Sequence, residues 1–164
     1  MTRFPPIDVR HPEPFDILDQ RFTVVGMLNT GDTGIEVHVL DADGNDLVPA
    51  VSSGSPMNGG GEFRANLELT SAPTATGTIR VAPFGGDPVD IEVSFGTGLM
   101  ASYGGYGVHV VAPGDTLSAI AEQYYGDADR WPVIATANRD IVPDPDLIHP
   151  GQELRVPIDA SLPV

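Results

Sequence analysis

The period of the hydrophobic pattern changes along this chain, at about residue 108. Between Ile7 and Phe95, apolar residues recur at every second position, which is typical of strands with one buried face. After residue 108 they recur at the spacing of a helix, as in Leu117 and Ile120. Because a chain of 164 residues has room for two small domains, the change in period predicts a two-domain protein.

The first domain is predicted to occupy residues 1–96 and to consist of short antiparallel strands. Clusters of Gly, Pro, Asp and Asn separate the apolar stretches and supply turns. Seven strands are predicted, at residues 7–10, 22–28, 35–41, 46–51, 62–69, 78–82 and 89–95. Short strands at this spacing favour an all-β immunoglobulin-like sandwich, in which one face of each strand lines the core.

A Gly-rich segment at residues 97–107 follows the predicted sandwich. Its content of Gly, Ser, Thr and Tyr predicts a linker. The segment also contains Leu99, Met100, Tyr103 and Tyr106, and is therefore more apolar than a free linker requires. The sequence leaves open whether this linker swings freely or docks on one of the domains.

The second domain is predicted at residues 108–157, followed by a C-terminal tail at residues 158–164. Short strands are predicted at residues 108–111 and 154–156, and the apolar residues between them have helical spacing. This order predicts a small α+β unit of the β-α-α-β type, with its two strands paired antiparallel.

The two helices of this unit have recognisable start signals. Asp115 or Thr116 is placed to cap the exposed amides of the first helix. The second helix is predicted to begin near Asp129, because Pro132 is tolerated in a first helical turn. Three apolar residues are predicted to lie in the core: Leu117, Ile120 and Trp131.

The second domain resembles the LysM domain in the order and spacing of its motifs. The resemblance is carried by residues 108–121, Tyr125-Gly126-Asp127, Ala137-Asn138 and residues 146–157. It implies binding of glycans that contain N-acetylglucosamine, such as peptidoglycan and chitin, in a shallow groove between two loops. Carried over by position, that groove consists of Gly114, Asp115, Thr116 and Leu117 facing Leu147, Ile148 and His149.

The chemistry of these residues agrees with two interpretations. A loop that enters a helix presents free backbone N–H groups, which can bond an acetamido group while apolar side chains cover the sugar. The same residue types are also typical of a turn, a helix cap and a first core residue without any ligand. The sequence leaves both interpretations open.

A subtype of the family is indicated by residues 125–131 together with residues 143–146. They are similar to the LysM domains of cytoplasmic potassium-binding proteins and of baseplate or tail proteins in phages and contractile injection systems. This similarity implies two alternatives to glycan binding. One is a structural adaptor that docks within a protein assembly, and the other is a potassium-binding or potassium-sensing protein.

The first domain resembles the immunoglobulin-like domain of bacterial spore germination proteins. Its markers are strand and turn motifs, at residues 7–14, 22–26, 37–44, 61–65 and 91–95. The resemblance implies a non-catalytic module that serves as a spacer or as a platform for a partner.

An excess of carboxylates limits the partners of this chain. It has 23 Asp and Glu against 8 Lys and Arg, all of them Arg, for a formal net charge of −15. Nucleic-acid binding and attachment to anionic membranes need clustered cations, which the sequence lacks. We therefore predict no nucleic-acid partner and, because no apolar stretch approaches membrane-spanning length, no membrane insertion. Such an acidic, Lys-free composition fits a halophile or a high-GC bacterium equally well.

The location of the protein is indicated only weakly. The first residues contain no apolar run of the kind found in secretory signal peptides. We therefore expect the protein to be cytoplasmic, or associated with the cell wall by a non-classical route.

The sequence contains no recognisable catalytic or metal-binding motif. The chain has no Cys, and its four His residues show no metalloprotease spacing. Residues 41–46 are rich in carboxylates, but the spacing of Gly44 favours a hairpin turn over a calcium loop. The sequence therefore predicts a non-enzymatic binding protein with no cofactor and no metal site.

Overall fold

The structure is a computed structural model that describes residues 7–29, 34–54, 61–84 and 86–162. The first six residues of the predicted sandwich and the last two of the predicted tail lie outside the described residues. The first domain contains β1 (Ile7–His11), β2 (Ile17–Leu18), β3 (Arg21–Leu28), β4 (Gly34–Asp41), β5 (Val51–Gly54), β6 (Gly61–Glu68), β7 (Thr76–Pro83) and β8 (Val89–Phe95). The rest of the chain forms α1 (Gly96–Leu99), β9 (Tyr103–Val110), α2 (Leu117–Tyr125), a 3-10 turn (Ala128–Arg130), α3 (Trp131–Ala137) and β10 (Glu153–Asp159). None of the helices in the described ranges is long and apolar enough to cross a membrane.

Two sheets pack face to face in the first domain, as the alternating pattern predicts. One has the strand order β1-β3-β6 and the other the order β2-β8-β7-β4-β5. Neighbouring strands are antiparallel except for β2, which pairs parallel with the end of β8. The inward residues of both sheets, such as Val24, Val37 and Ile79, form one apolar core. This is the immunoglobulin-like sandwich that the sequence predicts.

Two strands of the sandwich differ from the prediction. Strand β2 was not predicted, because a two-residue strand has no period to detect. Conversely, residues 46–51 were predicted as one strand, but Asp46 makes an isolated bridge to Leu40 and regular pairing begins only at Val51. Pro49 lies in this stretch and has no N–H to donate to a ladder, which explains the interruption.

The second domain packs its helices on a two-stranded antiparallel sheet of β9 and β10. Its core is formed by residues of both helices and both strands, including Leu117, Ile120, Ile134 and Leu154. The Thr116 side chain accepts a hydrogen bond from the N–H of Ala119 and caps α2. The predicted β-α-α-β order is therefore the observed one, with a 3-10 turn added before α3.

Residues 97–107, predicted as a linker, form secondary structure. The segment contains most of α1 and the first half of β9, which starts at Tyr103 instead of residue 108. Tyr106 pairs with Pro157 in β10, and that strand extends to Asp159, within the predicted tail. Met100 is buried in the second core. At its other end, the Thr97 hydroxyl accepts a hydrogen bond from the N–H of Ala72 in the sandwich at 3.2 Å, so the Gly-rich segment is docked on both domains and is not a free linker.

Two arginines of the second domain reach the first. Arg139 donates hydrogen bonds to the carbonyl of Val93, at 3.0 Å, and to the hydroxyl of Ser94. Its guanidinium also lies over the Phe15 ring, 5.1 Å from the ring centre. Arg155 donates to the carbonyl of Phe15 at 2.9 Å. Directed hydrogen bonds therefore join the two domains.

Candidate functional site

An open groove lies on the second domain between the loop that enters α2 and the loop that follows α3. We name it the helix-entry groove. It has a volume of about 310 Å³ and is lined by Asp115, Thr116, Leu117, Ser118, Trp131, Pro145, Asp146 and Ile148. Its size is at the lower end of the range for small-molecule sites.

The first wall of the groove is the start of α2. Thr116 adopts an extended backbone and caps the helix, while the Leu117 side chain is buried with 3% exposure. The N–H groups of Leu117 and Ser118 belong to the first turn, so they have no acceptor within the helix. Two backbone donors and one cap hydroxyl are thereby grouped on this wall.

The Asp115 carboxylate holds this wall in place. Its Oδ2 accepts a hydrogen bond from the N–H of Ala112 at 2.8 Å and lies 2.9 Å from Nε2 of His109. The hydrogen bond with His109, followed by that from Ala112, lowers the pKa of Asp115 below its ordinary value. Asp115 therefore stays ionised at neutral pH and serves mainly to fix the loop.

The second wall is the loop at residues 144–149. Asp144 organises it, because its side chain accepts from the N–H of Asp146 at 3.0 Å and its carbonyl accepts from the N–H of Leu147 at 3.0 Å. The side chain of Gln152 accepts from the N–H of His149 at 3.1 Å. Ile148 is half-buried against the second core. Hydrogen bonds within the loop thus hold its conformation without a ligand.

The floor of the groove includes Trp131, whose predicted place in the core is wrong. Its side chain is 36% exposed, whereas Leu117 and Ile120 are buried as predicted, at 3% and 1%. The buried residues of α3 are Ile134 and Ala137. Trp131 precedes them in the same row, but it is the first residue of the helix and lies where the core ends.

The groove brings together part of the predicted site. Asp115, Thr116, Leu117 and Ile148 line it. The other three predicted residues, Gly114, Leu147 and His149, are exposed but do not line it. Gly114 instead allows the turn, with a φ of 92° that side-chain-bearing residues rarely adopt. Contact of any of the seven with a ligand stays a prediction.

Four lining residues were not predicted: Ser118, Trp131, Pro145 and Asp146. Ser118 and Asp146 directly adjoin predicted positions and Pro145 lies one residue further away, so slightly longer predicted loops would have included these three. Trp131 had a weaker signal, namely that the only tryptophan of the chain stands at the start of a helix beside a proline.

In the part of the chain that the structure describes, no three His, Cys, Asp or Glu side chains are clustered in a way that could hold a metal ion. The turn at residues 41–45 is organised by the Asp41 carboxylate, which accepts from the N–H groups of Asp43 and Asn45 at 2.9 and 2.8 Å. That carboxylate serves the hairpin turn that the sequence predicts.

Two families match the chain, in the predicted order. Residues 6–86 match the immunoglobulin-like domain of bacterial spore germination, and residues 109–157 match the LysM domain. These matches confirm both predicted resemblances and the predicted fold class.

Three curated relatives illustrate what the chain is similar to. It is 54% identical over 50 residues to a protein of Deinococcus radiodurans and 44% identical over 69 residues to the potassium binding protein Kbp of Escherichia coli. It is 45% identical over 49 residues to an esterase of Mycobacterium tuberculosis. These alignments cover 30%, 42% and 30% of this chain and 19%, 44% and 10% of the respective relatives. The chain therefore spans less than half the length of each.

Proposed function

We propose that this chain, an immunoglobulin-like domain followed by a LysM domain, is a non-enzymatic protein that binds a glycan containing N-acetylglucosamine, such as peptidoglycan or chitin. The observation that carries the proposal is the helix-entry groove, which lies within the LysM match and exposes the indole of Trp131 beside the first turn of α2.

The groove offers the contacts that such a sugar needs. The N–H groups of Leu117 and Ser118 are available to the carbonyl of an acetamido group. The exposed indole of Trp131 provides an apolar face for the C–H groups of a pyranose ring. Ile148 adds an apolar surface from the opposite loop. Because these contacts are hydrogen bonds and apolar packing, we expect binding to persist at moderate salt.

Binding rather than catalysis is proposed because both matched families are binding-type domains. The similarity to the esterase covers only 10% of that protein, so we do not infer esterase activity for this chain. The sandwich is proposed to act as a platform, because Arg139 and Arg155 hold it against the LysM domain.

Titration of the full chain with chito-oligosaccharides, and sedimentation with purified peptidoglycan, test the proposal. Trp131 is the only tryptophan, so its fluorescence reports directly on the groove. A single shallow groove without avidity should give a Kd in the micromolar range or weaker, and a spectral shift to the blue.

A double variant locates the binding. Thr116→Trp with Ile148→Asp should abolish sedimentation with peptidoglycan. Because it also removes the cap of α2 and an apolar side chain packed on the second core, it should lower the melting temperature, and binding is measured well below that transition. Phe84→Ala, at an exposed aromatic residue of the sandwich, is the matched control and should bind normally. Absence of binding by the unaltered protein to either glycan would contradict the proposal.

Potassium binding is a second candidate function, favoured by the similarity to Kbp. It predicts that KCl raises the melting temperature more than NaCl at the same ionic strength, since a ligand that binds only the folded state stabilises it. Equal effects of the two salts would remove this candidate.

A further inference from the structure

One strand of the LysM sheet has an edge without a partner strand. The sheet consists of β9 and β10, and within the described residues β9 pairs with no other strand. Three apolar residues alternate along β9 and are 48%, 58% and 57% exposed: Tyr106, Val108 and Val110. We name these three residues the β9 edge. An unpaired edge presents backbone N–H and C=O groups that can pair with a strand of another molecule.

The contacts of β10 show which backbone groups of β9 point to this edge. Arg155 lies opposite Val108, but its N–H and C=O both bond the side chain of Asn138, on the far side of β10. Opposite residues of an antiparallel pair either bond each other or both point away, in alternation. The N–H and C=O of Val108 therefore point outward from β9, and so do those of Tyr106 and Val110. In the described ranges, no other group hydrogen-bonds these outward atoms.

The other strand edges of the sandwich are protected in ways that the β9 edge is not. The smaller sheet ends in β1 and β6, which expose charged side chains: Asp8, Arg10, Glu62, Arg64 and Glu68. The larger sheet ends in β2 and β5, which have two and four residues. Charged side chains and short strands both hinder pairing between edges. Strand β9 has eight residues and contains no Asp, Glu, Lys, Arg or Pro.

We propose that two copies of this chain pair antiparallel through the β9 edge, about a two-fold axis at Val108. Val108 then faces Val108 of the second copy, and Tyr106 of each copy faces Val110 of the other. Each of these cross-strand pairs exchanges two N–H···O=C bonds, because all three residues point their backbone groups outward. The exposed side chains meet as β-branched and aromatic pairs, which stabilise adjacent strands.

The distribution of charge favours a second copy as the occupant of this edge. Each copy has a formal net charge of −15, so contact through most of the surface brings carboxylates together. Beside the β9 edge, Glu153 lies opposite Val110 and Arg155 opposite Val108, so β10 contributes one charge of each sign. The imidazole of His109 is engaged away from the edge, with Nε2 2.9 Å from the Asp115 carboxylate. Two copies therefore meet here with little local repulsion.

The expected association is weak. A few strand residues per copy bury less than the roughly 1,200 Å² of total surface that marks the lower limit of stable interfaces. Long-range repulsion between two acidic copies weakens it further at low salt, because the Debye length is about 30 Å at 0.01 M and about 8 Å at 0.15 M. The pair presents two helix-entry grooves, but its formation does not require that either groove binds a glycan.

Sedimentation velocity of the full chain tests the pairing. Between roughly 5 µM and 1 mM protein, the dimer fraction should rise with concentration and should be larger at 0.15 M than at 0.01 M salt. Amide hydrogen exchange locates the contact, since exchange at Val108 and Val110 should slow severalfold as the dimer forms. The N–H of His109 points to β10 and is the internal control.

A charge swap at the two-fold axis tests the register. Val108→Glu and Val108→Lys each place like charges opposite one another, so either protein alone should lose the dimer, while their mixture should form a heterodimer. Val108 is exposed, so both variants should keep the melting temperature of the unaltered chain within a few degrees. Phe84→Glu, at an exposed apolar residue of the sandwich, is the matched control and should dimerise normally.

Three results would overturn the proposal. One is a chain that stays monomeric up to about 1 mM at 0.15 M salt, which would leave the edge to a different partner. Another is a dimer in which the exchange of Val108 and Val110 is unchanged, since the copies would then meet elsewhere. The third is a mixture of the two Val108 variants without a heterodimer. None of these measurements includes a glycan, so they leave the test of the proposed function untouched.

Discussion

The two domains satisfy their buried polar groups in different ways. In the sandwich, ladders between neighbouring strands pair most backbone N–H and C=O groups. The LysM domain has one two-stranded sheet and two short helices, whose ends leave backbone groups without partners. There the fully buried side chain of Asn138 donates to the carbonyls of Ile134 and Arg155, at 2.7 and 2.6 Å, and accepts from the N–H of Arg155 at 2.7 Å. The buried hydroxyl of Tyr125 likewise donates to the carbonyl of Pro157 at 2.9 Å, so this small domain with few ladders uses buried side chains to satisfy its backbone.

Removal of Asn138 should produce the largest effect. Asn138→Ala removes the hydrogen bonds to the buried carbonyl of Ile134 and to the half-buried carbonyl and N–H of Arg155, so we expect it to lower the free energy of unfolding of the LysM domain by about 3–5 kcal/mol. Urea denaturation followed by Trp131 fluorescence measures the change. Asn66→Ala, at an exposed position on β6, is the control and should change the stability of the sandwich by less than about 1 kcal/mol. Similar losses of stability in Asn138→Ala and Asn66→Ala would contradict the proposed difference between the two domains.

Truncation of a core leucine in each domain compares the two cores directly. Leu117→Ala should lower the free energy of unfolding of the LysM domain by about 2–4 kcal/mol, because it removes a buried side chain and leaves a cavity. Leu28→Ala should do the same to the sandwich and leave the LysM transition in place. Calorimetry resolves which transition moves. A change within about half a kcal/mol for Leu117→Ala would show that its side chain faces solvent or ligand.

The contact between the domains is expected to contribute less than either core. Arg139→Ala removes the hydrogen bonds to Val93 and Ser94, so the two unfolding transitions should separate, with a loss of about 1–2 kcal/mol. Burial lowers the pKa of Arg139, which shows that its guanidinium is withdrawn from water at this contact. Arg80→Ala is the matched control, since Arg80 pairs with Asp90 inside the sandwich. Transitions that move alike in both variants would mean that Arg139 does not couple the domains.

The smallest predicted effect is a loss of stability of the LysM domain at acidic pH. Because the pKa of Asp115 is lowered in the folded state, its ionised form contributes stability that is fully present above about pH 4 and is lost as the pH falls through the lowered value. The melting temperature of the LysM domain should therefore fall as the pH drops below about 4, and Asp115→Asn should flatten that fall. Asp146→Asn, on the opposite wall of the groove, is the control. An unchanged pH profile in Asp115→Asn would contradict the role of its hydrogen bonds with His109 and Ala112.

Local sequence patterns correctly predicted the features that depend on a single strand or helix. The alternation in β3, β4 and β6 predicted their inward faces, and Thr116 was among the two predicted caps of α2 because a hydroxyl before an apolar helix satisfies its first N–H groups. Local sequence patterns did not predict the features that depend on contact between two elements. The segment at residues 97–107 has the composition of a linker, and only the pairing of its second half, from Tyr103, with β10 makes that half a strand.

The sequence by itself determined the classes of the two domains and their order, because the period of apolar residues states which face of a strand or helix is buried. It also determined the negative charge, since a chain without Lys has few cations to place. Only the tertiary structure decided that Trp131 lies beyond the end of the core, in the groove, and that no arginine lines that groove. The exposure of a residue at the end of a helix depends on which residues pack against that end. The partner of a long charged side chain depends on which elements fold next to it. Both are properties of the assembled domain and not of the local sequence.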